Sequence, residues 1–236
     1  MRAVRLSFFH MLKVVMKDRM LFAALLSPVL AGTAIHFGVP FAEKMLIQMT
    51  GSTKVLSPYY SLFDIFFASL TLVMFCFISS MVVLEERDDH IDRYLFITGL
   101  GRRGYFISRM ILPAILALVI TVILLPMFAL IKWSAAEVLL LSLTGSLQGI
   151  VISLLIVTLS SNKLEGMAVT KLSSLIMLGA VVPFFVPAPI DLCAFFLPSY
   201  WMGKAVVEGK PIVMLLSVLV AVIWILILKR KNDRKM

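Results

Sequence analysis

An all-α membrane protein of six transmembrane helices is the fold class the sequence predicts, and three observations predict it. Hydrophobic residues make up 61% of the chain, and the mean hydropathy is +1.04. Asp, Glu, Lys and Arg make up only 15%, against about 25% in an ordinary soluble domain. A water-soluble fold could not bury so much apolar surface, so lipid must solvate much of it. Third, the apolar residues fall in six runs, about 21–41, 62–84, 110–131, 138–159, 172–187 and 212–228, near the roughly 20 residues that a spanning helix needs. The runs are too long for barrel strands and do not alternate, which excludes a β-barrel. Residues 1–236 are read as a single transmembrane domain.

Residues 1–20 precede the first run. On a helical wheel Arg2, Arg5, His10, Lys13 and Lys17 share one face, and Val4, Phe8, Met11, Leu12 and Val15 share the other. That pattern predicts an amphipathic helix lying in the membrane interface rather than a cleaved signal peptide. Lys and Arg then orient the spans. Five fall in residues 1–20, five in the loop 85–109, two in the loop 160–171 and five in the basic tail 229–236; the other three loops share Lys44, Lys54, Lys132, Lys204 and Lys210. With an even number of spans, a 17-to-5 split puts both termini in the cytoplasm. The formal net charge of +9 is therefore read as membrane orientation and not as an affinity for nucleic acid. Cys76 and Cys193 are read as small buried hydrophobes rather than a disulfide.

Chemistry-bearing motifs are few. No G-x-x-x-x-G-K-[ST] phosphate loop occurs; "GSTK" at 51–54 lacks its first glycine, so the chain is not expected to hydrolyse ATP itself. His10, His36 and His90 lie far apart in sequence, and neither a metal site nor a catalytic residue is predicted. "EERDDH" at 85–90 resembles the E-E-x-x-x-R start of intramembrane prenyl proteases, but position 90 is His and partner histidines at mid-membrane are lacking. Asp64 is the one acidic residue inside a predicted run and is a possible ion site, since a buried ionisable group in a membrane is a functional candidate. The fourth run is unusually polar, with Ser142, Thr144, Ser146, Gln148 and Ser153. Its Gly145 and Gly149 form a small-x-x-x-small pair that favours close helix packing, while Ser146 and Gln148 are candidates for a substrate path.

The stretch 85–109, "EERDDHIDRYLFITGLGRRGYFISR", holds five acids and five basic residues. A loop that served orientation alone would need no acids. The acids at 85–92 precede Ile91, Tyr94 and Leu95, spaced as one helical face, and three glycines follow. This predicts a short helix with acids at its N-terminus and a small apolar face.

In this stretch the chain resembles the membrane subunits of type-2 ABC transporters, of the exporter kind. Their second cytoplasmic segment starts E-[ER]-x-x-x-x-[LI]-x-x-[LY] and runs through a turn to a basic residue opening the third span. The resemblance extends to "SSNKLEG" at 160–166 and "LGAVVPFFVPAPIDLCAFFLPSYW" after it, and to the amphipathic N-terminal helix and six-span layout. The chain departs from the pattern in having "GLG" where the family often has a proline turn.

The resemblance implies that the short helix is a coupling helix docking into a separate ABC ATP-binding subunit through Glu85, Glu86, Arg87, Ile91, Tyr94 and Leu95. It also implies that 188–211 is partly re-entrant on the outer side, with Phe184, Phe185, Phe195 and Phe196 as gate candidates. ATP and Mg would be bound on the partner rather than on this chain. A second permease chain, identical or not, would complete the transporter in a prokaryotic inner membrane. The implied cargo is amphipathic or hydrophobic: a drug-like compound, a peptide antibiotic or a lipid. The alternatives are an ion-coupled secondary transporter or channel using Asp64, and a non-transport assembly or sensor subunit.

Overall fold

A computed structural model describes residues 2–51 and 54–233. The protein is 87% helical, with no strand among the described residues. Its helices are α1 (Arg2–Lys17), α2 (Arg19–Thr50), α3 (Tyr60–Asp88), α4 (Ile91–Ile97), α5 (Gly101–Phe106), α6 (Leu112–Phe128), α7 (Ala135–Leu159), α8 (Lys163–Ser173), α9 (Val182–Phe185), α10 (Pro198–Val207) and α11 (Met214–Asp233). A π-helical stretch, Ile107–Ile111, joins α5 to α6. Two longer 3-10 stretches, Ser174–Ala180 and Ile190–Ala194, flank α9.

Local chemistry sets several of these boundaries. Asp18, in extended conformation, accepts from the N–H groups of Met20 (2.8 Å) and Leu21 (3.2 Å) and so starts α2. Gly51 ends α2 at φ +68°, with its N–H returning to the Ile47 carbonyl. Ser134 and Glu137 form a reciprocal capping box at the start of α7. Between α3 and α4 the chain turns at His90, φ 59°, a conformation rare outside glycine but less so for histidine.

Among the described residues, five helical stretches are long and apolar enough to cross a membrane: Arg19–Met49, Ser57–Asp88, Gly101–Phe128, Ala135–Leu159 and Pro211–Lys231. The second and fourth are the centre of the molecule, 83% and 72% buried over their most apolar windows, while the others are 17%, 28% and 22% buried. The others therefore turn much of their surface outward, to a solvent that must be apolar: Leu30, Phe37, Ile115, Ile123, Leu219 and Ile227 are all exposed. Gly145 and Gly149 bring α7 against α3. A Cβ at 149 would stand 3.1 Å from the Leu72 carbonyl oxygen and 2.8 Å from Cys76 Sγ, which is the close approach that the small-residue spacing predicts.

The fifth predicted run, 172–187, departs from expectation: it is not one regular helix but α8, a 3-10 stretch and α9 in succession. The cause is the segment packed upon it. The Ser199 hydroxyl donates to the Ile176 carbonyl, and Gly203 sits so near that a Cβ there would lie 2.3 Å from the Ala180 carbonyl oxygen. Pro183 removes a further backbone donor. Cys76 is buried as expected, but Cys193 is exposed, because in its short 3-10 turn every third residue, Asp191 and Ala194, faces inward.

Candidate functional site

Contacts between distant segments gather at the end of the bundle where α2 starts and α3 and α7 finish. Its centre is a buried ion pair. Arg109, in the π-helical stretch, reaches Glu86 on the last turns of α3 through Nη2 (2.5 Å to Oε1) and Nε (3.0 Å to Oε2). The two side chains are 2% and 11% exposed. Tyr105 donates its hydroxyl to Glu86 Oε2 at 2.8 Å, and Arg109 Nη1 donates to the Ser7 carbonyl at 3.0 Å and its hydroxyl oxygen at 3.1 Å. The Ser79 hydroxyl donates to the Arg109 carbonyl. One guanidinium thus ties α1, α3 and the start of the third span together, its donors directed to a buried carboxylate and a backbone carbonyl.

A second knot lies beside it. Lys163, at the start of α8, contacts Asp18 Oδ2 at 3.2 Å and Glu85 Oε2 at 3.0 Å, and its backbone N–H donates to Asp88 Oδ2. Partial burial works to raise the Asp18 pKa, but the N–H groups of Leu21 and Met20 and the Lys163 ammonium outweigh it and hold the carboxyl below its ordinary value. Burial likewise opposes the charge on Lys163, and Glu85 and Asp18 outweigh it, raising its pKa. Arg87 donates from Nη1 to the carbonyls of Val157 (3.0 Å) and Ser160 (3.3 Å) at the end of α7.

This arrangement corrects the expected placement of the acids. The acids Glu85, Glu86 and Asp88 do not open the short helix; they close α3, and of the acids only Asp92 lies in the first turn of α4. The break at His90 comes later than the sequence pattern implied. Glu86 is buried in its ion pair, while Glu85 and Arg87 are engaged within the chain, so none of the three is a freely projecting contact. Leu95 packs inward near Tyr105. Ile91 (43% exposed) and Tyr94 (69%) face outward, joined by Ile97 (84%). α4 therefore presents a small apolar surface held on an ion-paired frame. Beneath it a cavity of about 730 Å³ opens towards α1, lined by Leu6, Phe9, His10, Lys13, Ile91 and Leu95 among others.

Arg109 and Lys163 escaped selection as site residues. Their signal in the sequence was weak but real: Arg109 stands immediately before a long apolar run, and a charge at that depth requires a partner.

At the opposite end, Asp64 is fully buried and binds protein. Its oxygens accept from the backbone N–H of Leu130 (2.9 Å) and Ile131 (3.2 Å) and from Trp133 Nε1 (2.9 Å). These donors tie the carboxylate to the connection between α6 and α7. Replacing Asp64 by Asn is expected to destabilise the protein by about 1–3 kcal/mol, because a charge-assisted acceptor is lost from a buried set of donors. Thermal unfolding of the purified variant measures this, and an unshifted midpoint would contradict the structural assignment.

The gate candidates take separate places. Phe184 packs into the core with Ala180 and Met202, while Phe185 is exposed and stacks on Tyr59 at 5.1 Å. Phe195 and Phe196 are exposed and meet edge to face. Their backbone carbonyls accept from Trp201 and Trp224. The segment that carries them is anchored by Asp191, whose Oδ2 accepts from the Tyr200 hydroxyl (2.8 Å) and Lys204 Nζ (3.1 Å). On α7 the Ser146 hydroxyl donates to the Leu143 carbonyl. Gln148 is fully buried, and its amide oxygen and nitrogen have no hydrogen-bond partner. Among the described residues, no group of three or more His, Cys, Asp and Glu side chains is placed to hold a metal ion.

A family model described as fluoroquinolones export permease protein Rv2686c-like matches residues 11–229. The chain belongs to that family. Two similar proteins, from two strains of Mycobacterium tuberculosis, are named fluoroquinolones export permease protein MT2760 and Rv2686c. Each is 23% identical over 192 residues, covering 80% of this chain and 75% of the relative. No solved structure matches. Membership makes this multi-pass membrane protein an export permease, a component of transport rather than an enzyme. The matched stretch includes the Glu86–Arg109 pair, all of α4 and Asp64.

Proposed function

We propose that this permease is the membrane subunit of an ATP-driven exporter, forming the path for an amphipathic or hydrophobic compound while a separate ABC ATPase hydrolyses ATP with Mg. The observation that carries the reading is the family match over 11–229. The relatives' names make a fluoroquinolone the first cargo to try. The sequence contains no phosphate loop of its own, so ATP-driven export by this chain requires a partner. The outward face of α4, Ile91, Tyr94 and Ile97, is the surface on which we place that partner: apolar, exposed and rigidly mounted. The bias of Lys and Arg towards this end supports our reading that it faces the cytoplasm, as do both termini. There α1 lies in the membrane interface and α4 acts as the coupling helix.

The structure describes a single chain; a second permease chain, identical or not, would enclose the path. Ser146 and the unpaired Gln148 amide are path candidates, with Phe185, Phe195 and Phe196 at the outer mouth. The broken 163–185 stretch serves as the fifth of six crossings, and 188–211 as a re-entrant outer segment.

The test is efflux from bacteria loaded with a fluoroquinolone and expressing the permease with and without a candidate ABC ATPase. Efflux is expected only with both proteins, to stop when ATP is depleted, and to survive dissipation of the proton gradient. Efflux by the permease alone in ATP-depleted cells would overturn the reading.

A further inference from the structure

A second cavity at the same end, of about 670 Å³, is not used by that reading. It lies where the start of the third span meets the end of α11. Its charged lining is Arg87, Arg102, Arg103, Arg109, Lys229 and one acid, Asp92. Arg109 is neutralised by Glu86. The remaining four cations face a single carboxylate. Two are steadied by rings: the Arg102 guanidinium lies 5.7 Å from the Phe96 centroid and Lys229 Nζ 4.9 Å from that of Phe106. Arg103 is exposed at the mouth.

The rest of the lining is apolar and leads away from the charge. Ile107 lies in the cavity wall. Beyond it Ile115, Val119 and Ile123 follow in four-residue steps down one face of α6, exposed by 51%, 49% and 57%. On α11, which carries Lys229 towards its end, Leu219, Ile223 and Leu226 form a similar exposed stripe. Both helices pack on α7. A cationic mouth at the end of an apolar track complements a molecule with an anionic head and hydrocarbon tails.

We propose that this cavity binds the phosphate headgroup of an anionic membrane phospholipid, with Arg103 and Lys229 as its principal contacts and the acyl chains lying along Ile107, Ile115 and Val119. A soluble phosphate would match the mouth but has no use for the track. The inference stands whether or not the transport reading does.

Lipid titration of the purified full-length protein, read by thermal shift and by native mass spectrometry, tests it. Phosphatidylglycerol is expected to bind and stabilise well below the concentration at which phosphatidylcholine does, and inorganic phosphate to give no comparable shift. Each cation near an anionic headgroup is worth about fivefold in affinity. R103Q and K229Q should therefore each weaken phosphatidylglycerol about fivefold, and the double variant roughly twenty-five-fold, with the lipid-free unfolding midpoint unchanged. If the double variant is not recovered folded, the single variants carry the test. Equal binding of phosphatidylcholine, an equal shift from phosphate alone, or variants that keep the wild-type preference would each overturn the proposal.

Discussion

Replacing Arg109 by Leu is expected to cost about 3–5 kcal/mol of stability, the range for removing one partner of a buried ion pair. The cost arises chiefly from what remains. Glu86 would keep a buried carboxylate with Tyr105 as its remaining donor. The Ser7 carbonyl would lose the guanidinium that joins α1 to the third span. Burying a charge without its partner is far more costly than never burying the pair. Glu86→Leu should be nearly as damaging, because it strands Arg109, which is 2% exposed.

The double variant Glu86→Leu with Arg109→Leu is expected to recover a large part of the loss, since paired apolar replacements are often neutral. Chemical denaturation of the four proteins in detergent gives the coupling free energy directly. Losses that simply add would mean that the pair is not a functional unit of the fold. Export should stay impaired in the double variant even when stability returns. Two leucines can fill the space, but they cannot fix the angle at which the bidentate contact holds α3 against the π-helical stretch, nor hold Ser7.

The unequal legibility of the sequence has a physical basis. The second and fourth runs became single long helices, and the third and sixth nearly continuous ones, because hydrocarbon forces backbone hydrogen bonds inward, and a helix satisfies them within the segment. The first run likewise lies in one helix, but α2 continues to Thr50, past Pro40, where composition alone gave no reason to extend it. The 172–187 run has the right hydropathy, but its winding answers to Ser199 and Gly203, more than a dozen residues away. No local pattern encodes such a contact. Around residue 86 the types were readable and the partners were not. A carboxylate just after one apolar run and a guanidinium just before the next looked like two exposed charges, and only the antiparallel packing of α3 against the following span brings them to 2.5 Å. Asp64 stood out as the one acid inside an apolar run, yet most of its partners are backbone N–H groups of a loop, which carry no side-chain signature.

Truncating Tyr94 to Ala is expected to weaken association with the ATPase by about 2 kcal/mol, roughly thirtyfold, if α4 is the docking element, because exposed tyrosines at the centre of small apolar patches are frequent binding hot spots. The same change should leave folding stability within about 0.5 kcal/mol, since Tyr94 is 69% exposed in the lone chain. The contrast with its neighbour makes the result interpretable. Leu95 points the other way, into the cluster that contains Tyr105 and Val157, so Leu95→Ala should lower stability by about 2–3 kcal/mol and affect association only through the helix's support. The measurement is the affinity of the purified permease variants for the ATPase, with permease-stimulated ATP hydrolysis as a second readout. Tyr94→Ala should reduce both while the unfolding midpoint stays fixed; Leu95→Ala should move the midpoint first. Should Tyr94→Ala retain full stimulated hydrolysis, the outward face of α4 is not where the ATP cycle acts. The buried pair at Glu86 and Arg109 would then serve the fold without transmitting anything through α4, because the element it supports would have no partner to move it.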